Sequence, residues 1–299
     1  MEVKALKFGG LTAKRPIVQG GMGVGVSLSS LAGNVAKCGG IGTISGVHPG
    51  YREADFKENP FRANLRAIGN ELEKAKEIAN GGIIGFNFMT VMNHYEEYVK
   101  EAIAAGADFI VSGAGLPVNL AKYAAGTRAA ILPIVSSARA LKLIVKQWQR
   151  ADRLPDAVVV EGPLAGGHLG YPYGHLVDGT FDTLEDSLVD VVDYVRELEE
   201  KNGVIIPVIA GGGVRSHADM ERLMALGASG VQVGTKFVAT EECDAAPAFK
   251  QAYLRSRKED VQLIESPVGL AARAIRNSFL EKVEKQGRIP VQRCYQCMN

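Results

Sequence analysis

AVVVEGPLAGGHLG (157–170) begins with four apolar residues, mostly β-branched, and runs through Glu161, Gly162 and Pro163 into Gly166, Gly167 and His168. The pattern reads as a buried strand that ends in a backbone-permissive loop carrying a titratable side chain. Adjacent glycines let a ligand come close to the main chain. Imidazole is the side chain whose ordinary pKa lies nearest neutral pH, so His168 has the chemistry to take and return a proton. Taken alone, the histidine reads first as a capping or hydrogen-bonded loop residue, and only its company along the chain reverses that reading.

Working outward, strand-like runs of the same kind recur: PIVQGG (16–21), GIGTIS (40–45), GIIGFNF (82–88), DFIVSGAG (108–115), ILPIVSS (131–137), AVVVEG (157–162), IPVIAGGG (206–213) and GVQVGT (230–235). Helical periodicity fills several of the gaps. Tyr95, Tyr98, Val99, Ala102 and Ile103 fall on one helix face, as do Leu188, Val191, Val192, Val195 and Leu198. Strands alternating with helices imply parallel strands joined by right-handed crossovers. Eight such units predict a closed (β/α)8 TIM barrel of the α/β class. The competitor is an open doubly wound sheet with a Gly-X-Gly-X-X-Gly fingerprint. It fails on spacing, because Val26 or Leu28 stands where the third glycine belongs after Gly21 or Gly23.

In a barrel, the ends of the strands share the C-terminal face, where the chemistry is kept. That rule gathers Gly21, Met22, Gly23, Ser45, Asn87, Ser112, Ser136, His168, Gly211 and Gly234 around one mouth. The window IPVIAGGGVRSHADMERLMALGASGVQVGTKF (206–237) adds a specific signal. Gly211, Gly212 and Gly213 end the seventh run, Ser216 and Asp219 signal the next helix, and Gly234 and Thr235 end the eighth. Glycine N–H groups and the Thr235 hydroxyl make an anion nest suited to a phosphate. Read as turn chemistry alone, the same glycines would do no more than close their loops.

Composition narrows the partners. The 299 residues are 46% hydrophobic, enough for one large core, and 34 Lys plus Arg nearly balance 33 Asp plus Glu. No basic face for nucleic acid follows from that balance, so the expected partner is a small-molecule substrate. No apolar run reaches the roughly 18 residues of a membrane span, and MEVKALKFGG has no signal-peptide core. The expectation is therefore a cytoplasmic protein that does not engage a membrane. Cys38 and Cys243 are isolated, which argues against a disulfide framework. Cys294 and Cys297 form a Cys-X-X-Cys pair, half of a zinc or iron–sulfur site, and with no second pair they read as thiols on a frayed tail with no metal expected.

At this point the motifs PIVQGGMG (16–23), GFNFM (85–89), SGAGLP (112–117), EGPLAGGHLG (161–170), PVIAGGGV (207–214) and QVGTKF (232–237) occur together and in order. The combination resembles the nitronate monooxygenase family, formerly the 2-nitropropane dioxygenases, and their relatives the flavin-dependent enoyl-acyl-carrier-protein reductases. The resemblance covers roughly residues 10 to 285, and GLAARAIRNSF (269–279) looks like the family's capping segment. It implies an FMN-binding barrel over residues 1–240 and a small C-terminal helical capping segment, packed back on the barrel, with a Cys-containing tail over 241–299. It implies one FMN, with its phosphate at Gly212, Gly213, Gly234 and Thr235 and its ring edge near Gln19, Met22, Gly23 and Asn87. Gly21, Ser112, Gly166, Gly167 and Gly211 complete the expected cofactor-binding set. His168 matches the family's histidine, which acts as the base toward neutral nitroalkanes.

The sequence departs from that pattern in three places. LGYPYGHLVDGTFDTLEDS, after His168, is longer and more aromatic than the link expected in the enoyl reductases. Tyr171, Tyr173 and His175 either line the substrate cavity or pack within a solvated loop. Pro163 and Leu164 stand where many relatives carry a Glu, and RCYQCMN looks like the start of a Cys-containing tail that some relatives continue. The reading that results is an FMN-dependent oxidoreductase converting alkyl nitronates and O2 to carbonyl compounds and nitrite. The alternatives are an NAD(P)H-dependent enoyl thioester or quinone reductase and, from another class, a non-redox barrel that binds a phosphorylated ligand. NAD(P)H as electron donor and a homodimer as the assembly are left open.

Overall fold

The computed structural model describes residues 4–266, 269–287, 289–290 and 294–295. It starts with a hairpin that the strand pattern above did not include. Strands β1 (Leu6–Phe8) and β2 (Leu11–Ala13) pair antiparallel around Gly9 and Gly10, both at positive φ, as a two-residue hairpin turn requires. Leu6, Phe8 and Ala13 are buried in one cluster with Val18, Ile41, Phe109, Val159 and Ile209. The hairpin thus packs into the barrel interior.

All eight predicted runs are strands of one closed barrel. They are β3 (Ile17–Gln19), β4 (Ile41–Ser45), β5 (Ile83–Met89), β6 (Phe109–Gly113), β7 (Ala130–Val135) and β8 (Val158–Glu161). Then, past a short strand outside the barrel, β9 (Gly167–His168), come β10 (Val208–Gly211) and β11 (Gly230–Val233). Every neighbouring pair is parallel, and β11 returns to β3 to close the ring.

Helices α1 (Ser29–Lys37), α2 (Pro60–Ala79), α3 (Tyr95–Ala104), α4 (Leu120–Tyr123), α5 (Ala138–Trp148), α6 (Tyr173–Asp178), α7 (Leu184–Asn202) and α8 (His217–Ala225) occupy the crossovers. A short helix, α9 (Thr235–Val238), follows the last barrel strand. On α7 the five predicted aliphatic residues, Leu188 to Leu198, are all buried, and each such burial is worth about 1.5–3 kcal/mol. On α3, Tyr98, Val99 and Ala102 are buried, with Tyr95 and Ile103 packed against the same cluster. Ser216 and Asp219 form the predicted capping box at the start of α8.

The segment beyond the barrel is helical only in part. Helices α10 (Pro247–Arg255) and α11 (Ser278–Gln286) flank an antiparallel hairpin of β12 (Val261–Glu265) and β13 (Ala271–Ile275). The alanine-rich run 271–275 has helix-forming residues, yet it lies as a strand because all five pair with β12, and Ala272 and Arg273 pair on the other edge with β9. Among the described residues no helix is long and apolar enough to cross a membrane.

Candidate active site

The two-residue repeat of a strand sorts the strand ends into those that face the barrel axis and those that face the helices. Val158 and Val160 pack against the helix-side cluster and Val159 against the interior, so Glu161 shares the inward side. By the same parity Ser45 follows Ile41, Asn87 follows Ile83 and Gly211 follows Ile209 to the inner rim. Ser45 stands in register with Asn87, and Glu161 with Gly211.

This parity separates two expected residues from the rest. Gln19 lies on the side of Ile17, which packs toward the helices, and it is fully buried. Its Nε2 donates to Ser27 Oγ at 2.8 Å and to the Gly20 carbonyl at 2.6 Å, while its Oε1 accepts the Thr43 amide at 3.0 Å. Both ends of the amide are thereby held by protein groups, and Gln19 shapes the loop that follows β3. Ser112, between the inward Val111 and Gly113, faces α3 and accepts the Tyr95 hydroxyl at 2.8 Å. Neither side chain faces the mouth.

The remaining glycines converge. A Cβ on Gly21 would lie 2.4 Å from that of Asn87, and one on Gly23 would lie 3.0 Å from Ser45 Oγ. Gly212 and Gly213 take φ of +97° and +94°. A Cβ on Gly212 would meet the Gly162 carbonyl at 2.9 Å and the Ala165 amide at 3.2 Å, so the ends of β10 and β8 touch through bare backbone. By contrast, a Cβ on Gly234 would meet only the Met22 side chain, Sδ at 3.4 Å. One on Gly166 would meet only Thr235 Oγ1 at 3.6 Å, and Gly167 faces open space. Gly166 and Gly234, with Thr235 and Met22 beside them, therefore border a cradle with room left in it, while Gly212 and Gly213 pack against the turn 162–165.

His168 lies on β9, where its backbone pairs with Ala272 and the Leu169 amide donates to the Ala271 carbonyl at 2.9 Å. It is half-buried, and burial lowers its pKa, so the ring is neutral at pH 7 and able to accept a proton. Two inward residues are absent from the sequence-derived set. Glu161, at the inner rim, has its carboxyl pushed up to about 7 by burial. Gln232, on the inward side of β11, lies 3.1 Å from where a Gly211 Cβ would be. Strand parity counted from Val159 and Val231 would have picked out both.

The loop after His168 packs on itself. Tyr171 and Tyr173 lie against Leu169, Leu176 and Ala271, the Tyr171 hydroxyl donates to the Glu161 carbonyl at 3.1 Å, and His175 is exposed on α6. Cys38 is exposed and Cys243 buried. Cys297 lies outside the described residues, so the Cys-X-X-Cys pair is not described as a unit. A separate cavity of about 290 Å³, lined by His48, Asn64, His94 and Tyr98 among others, sits beyond the ends of β4 and β5.

A closed parallel barrel with a glycine-rich cradle and a neutral histidine at its C-terminal mouth defines a barrel enzyme of the α/β class. The chain belongs to the nitronate monooxygenase family, a family of oxidoreductases, whose sequence model matches residues 4–298. It is 25% identical to the probable nitronate monooxygenase of Staphylococcus saprophyticus over 95% of this chain and 82% of that protein. It is 26% identical to the one from Staphylococcus aureus over 94% and 81%. Among solved structures it resembles FabK from Thermotoga maritima, with TM-score 0.71, 26% identity and coverage of 91% of this chain and 75% of that one. The nitroalkane oxidase of Streptomyces ansochromogenes shares the fold at TM-score 0.64 and 23% identity, over 90% of this chain and 78% of that one.

Proposed function

We propose that this chain is an FMN-dependent nitronate monooxygenase that oxidises alkyl nitronates with O2 to carbonyl compounds and nitrite. The observation that carries the reading is the cradle. Gly166, Gly213 and Gly234 would project a Cβ at most onto a side chain, never onto backbone, and Thr235 Oγ1 is the nearest group to a Cβ on Gly166, which leaves room for an anion that glycine N–H groups and the Thr235 hydroxyl would bind. Those residues would hold the phosphate, and Met22, Gly23 and Asn87 the ring edge. Gly21 and Gly211 let the strand ends pack close to Asn87 and Gln232, and Glu161 lies on the inward side with Gln232. Bound FMN supplies the electron transfer from nitronate and the reaction with oxygen. The chain's own part is orientation, exclusion of water and proton handling. His168, neutral and half-buried, removes the proton from the carbon beside a nitro group when the substrate arrives as the neutral nitroalkane.

The test is the visible spectrum of the purified protein with the mass of the extracted cofactor, followed by nitrite release and oxygen uptake on a nitronate. A colourless protein that does not take up FMN would overturn the reading and favour a non-redox barrel binding a phosphorylated ligand. A second flavin reading draws on the likeness to FabK, an enoyl-acyl-carrier-protein reductase. On that reading NAD(P)H reduces the flavin and an enoyl thioester takes the electrons, with no nitrite formed.

A further inference from the structure

The hairpin of β12 and β13 reaches the turn after β8 through a polar side chain, Arg273. Its Nη1 donates to the Pro163 carbonyl at 2.6 Å and to the Ala165 carbonyl at 2.9 Å, one N–H for each oxygen on either side of Leu164. Both acceptor residues are buried. A buried carbonyl without a donor is costly, so the turn 163–165 keeps this shape only with a donor at that point. On its inner side the same turn presents the Gly162 carbonyl and the Ala165 amide to Gly212, and the next residue, Gly166, faces Thr235. The backbone of Arg273 also pairs with Gly167, and that of Ala272 with His168. Among the described residues the guanidinium pairs with no carboxylate, although burial works against its charge. A partly buried cation kept without an anionic partner, one backbone layer from an anion cradle, is best explained by what it holds in place.

We propose that Arg273 is a positioning residue that clamps the turn 163–165, and through it sets both the phosphate cradle and the strand that carries His168. The cradle half of this proposal rests on the FMN reading; the clamp itself does not. Methionine at 273 keeps the stem and removes the donors, whereas lysine keeps the charge and one donating centre.

The experiment compares wild type, Arg273→Met and Arg273→Lys by amide hydrogen exchange, and by titration of the apoprotein with FMN and with riboflavin, which lacks the phosphate. Arg273→Met should raise exchange in 164–170 by about tenfold or more with exchange in α7 unchanged. It should weaken FMN by about tenfold and riboflavin by less, and Arg273→Lys should recover part of both effects. Unchanged exchange in 164–170 on loss of the donors overturns the clamp. Equal weakening of FMN and riboflavin overturns the link to the cradle. If wild type binds neither flavin, the cofactor reading fails, and the exchange data still decide the clamp. If Arg273→Met does not fold, Arg273→Lys should show an intermediate rise, and wild-type exchange in that variant overturns the proposal.

Discussion

Asp244, in the segment after the barrel, caps the helix that Leu28 opens. Its Oδ2 accepts the amides of Leu28 at 2.8 Å and Leu31 at 3.1 Å, and its Oδ1 accepts that of Ser30 at 3.2 Å. Leu28 has no side-chain oxygen with which to satisfy these first-turn donors, so a carboxylate distant in sequence replaces the usual local cap. Asp244→Ala leaves three partly buried N–H groups unpaired and should cost about 1–3 kcal/mol, or several degrees in unfolding midpoint. Asp244→Asn keeps one acceptor and should lose less. Urea unfolding of the three proteins checks this; equal midpoints would mean that the cap contributes nothing to stability.

The cradle is tested most cleanly at Gly234. Its φ of −117° tolerates a side chain, and a Cβ there meets only the flexible Met22. Gly212 is a poor site for the same test, because φ is +97° and a Cβ would press on the Gly162 backbone, so loss of binding could not be told from misfolding. Gly234→Asp puts a carboxylate where a phosphate dianion is expected, and such a contact in a partly buried site costs several kcal/mol. FMN affinity should fall by 100-fold or more with the unfolding midpoint little changed. Full FMN occupancy in this variant would put the phosphate elsewhere.

Glu161 makes stability depend on pH in a defined direction. Its pKa is about 7 in the fold against an ordinary 4.5, so the folded state binds the proton more tightly than the unfolded chain. The resulting stabilisation is fully present below pH 4.5 and disappears as pH rises through 7. Its full size is on the order of 3 kcal/mol, taking about 1.4 kcal/mol for each pKa unit. Glu161→Gln should flatten that part of the profile. Denaturant unfolding of both proteins between pH 5 and pH 8 measures the difference, and parallel profiles would show that Glu161 is an ordinary exposed carboxylate.

Strand positions were legible because burial on both faces leaves unbroken apolar runs, and β8 and β10 lie on the runs 157–160 and 208–210. Which strand-end side chains face inward was equally present in the two-residue repeat, which places Glu161 with Val159 and turns Ser112 toward Tyr95. Gln19 was harder to read, since a polar residue at a strand end looks like a ligand until its partners Ser27 and Thr43 are seen. The hairpin at Gly9 and Gly10 had a local signal in its Gly-Gly turn. The pairing of 271–275 with β9 had none. Its residues favour helix, and of its two strand partners β12 is local while β9 lies about 100 residues earlier in the chain.

The part played by His168 separates the two flavin readings. A proton must leave the carbon beside a nitro group before a neutral nitroalkane can be oxidised, whereas a nitronate arrives without it, and loss of a general base typically costs about 10²- to 10⁴-fold. His168→Asn should therefore depress turnover of neutral nitroalkanes far more than turnover of nitronates. Burial holds the ring below its ordinary pKa of 6.5, so the base form persists into mildly acidic solution. The wild-type rate on neutral nitroalkanes should accordingly stay level down to a pH below 6.5 before it falls. Nitrite release and oxygen uptake by both proteins on both substrate forms, beside an assay with NAD(P)H and an enoyl thioester, decide the matter. Equal losses on the two nitro forms would leave His168 a binding or flavin-tuning residue. Rapid enoyl reduction without nitrite would replace the monooxygenase reading with the reductase.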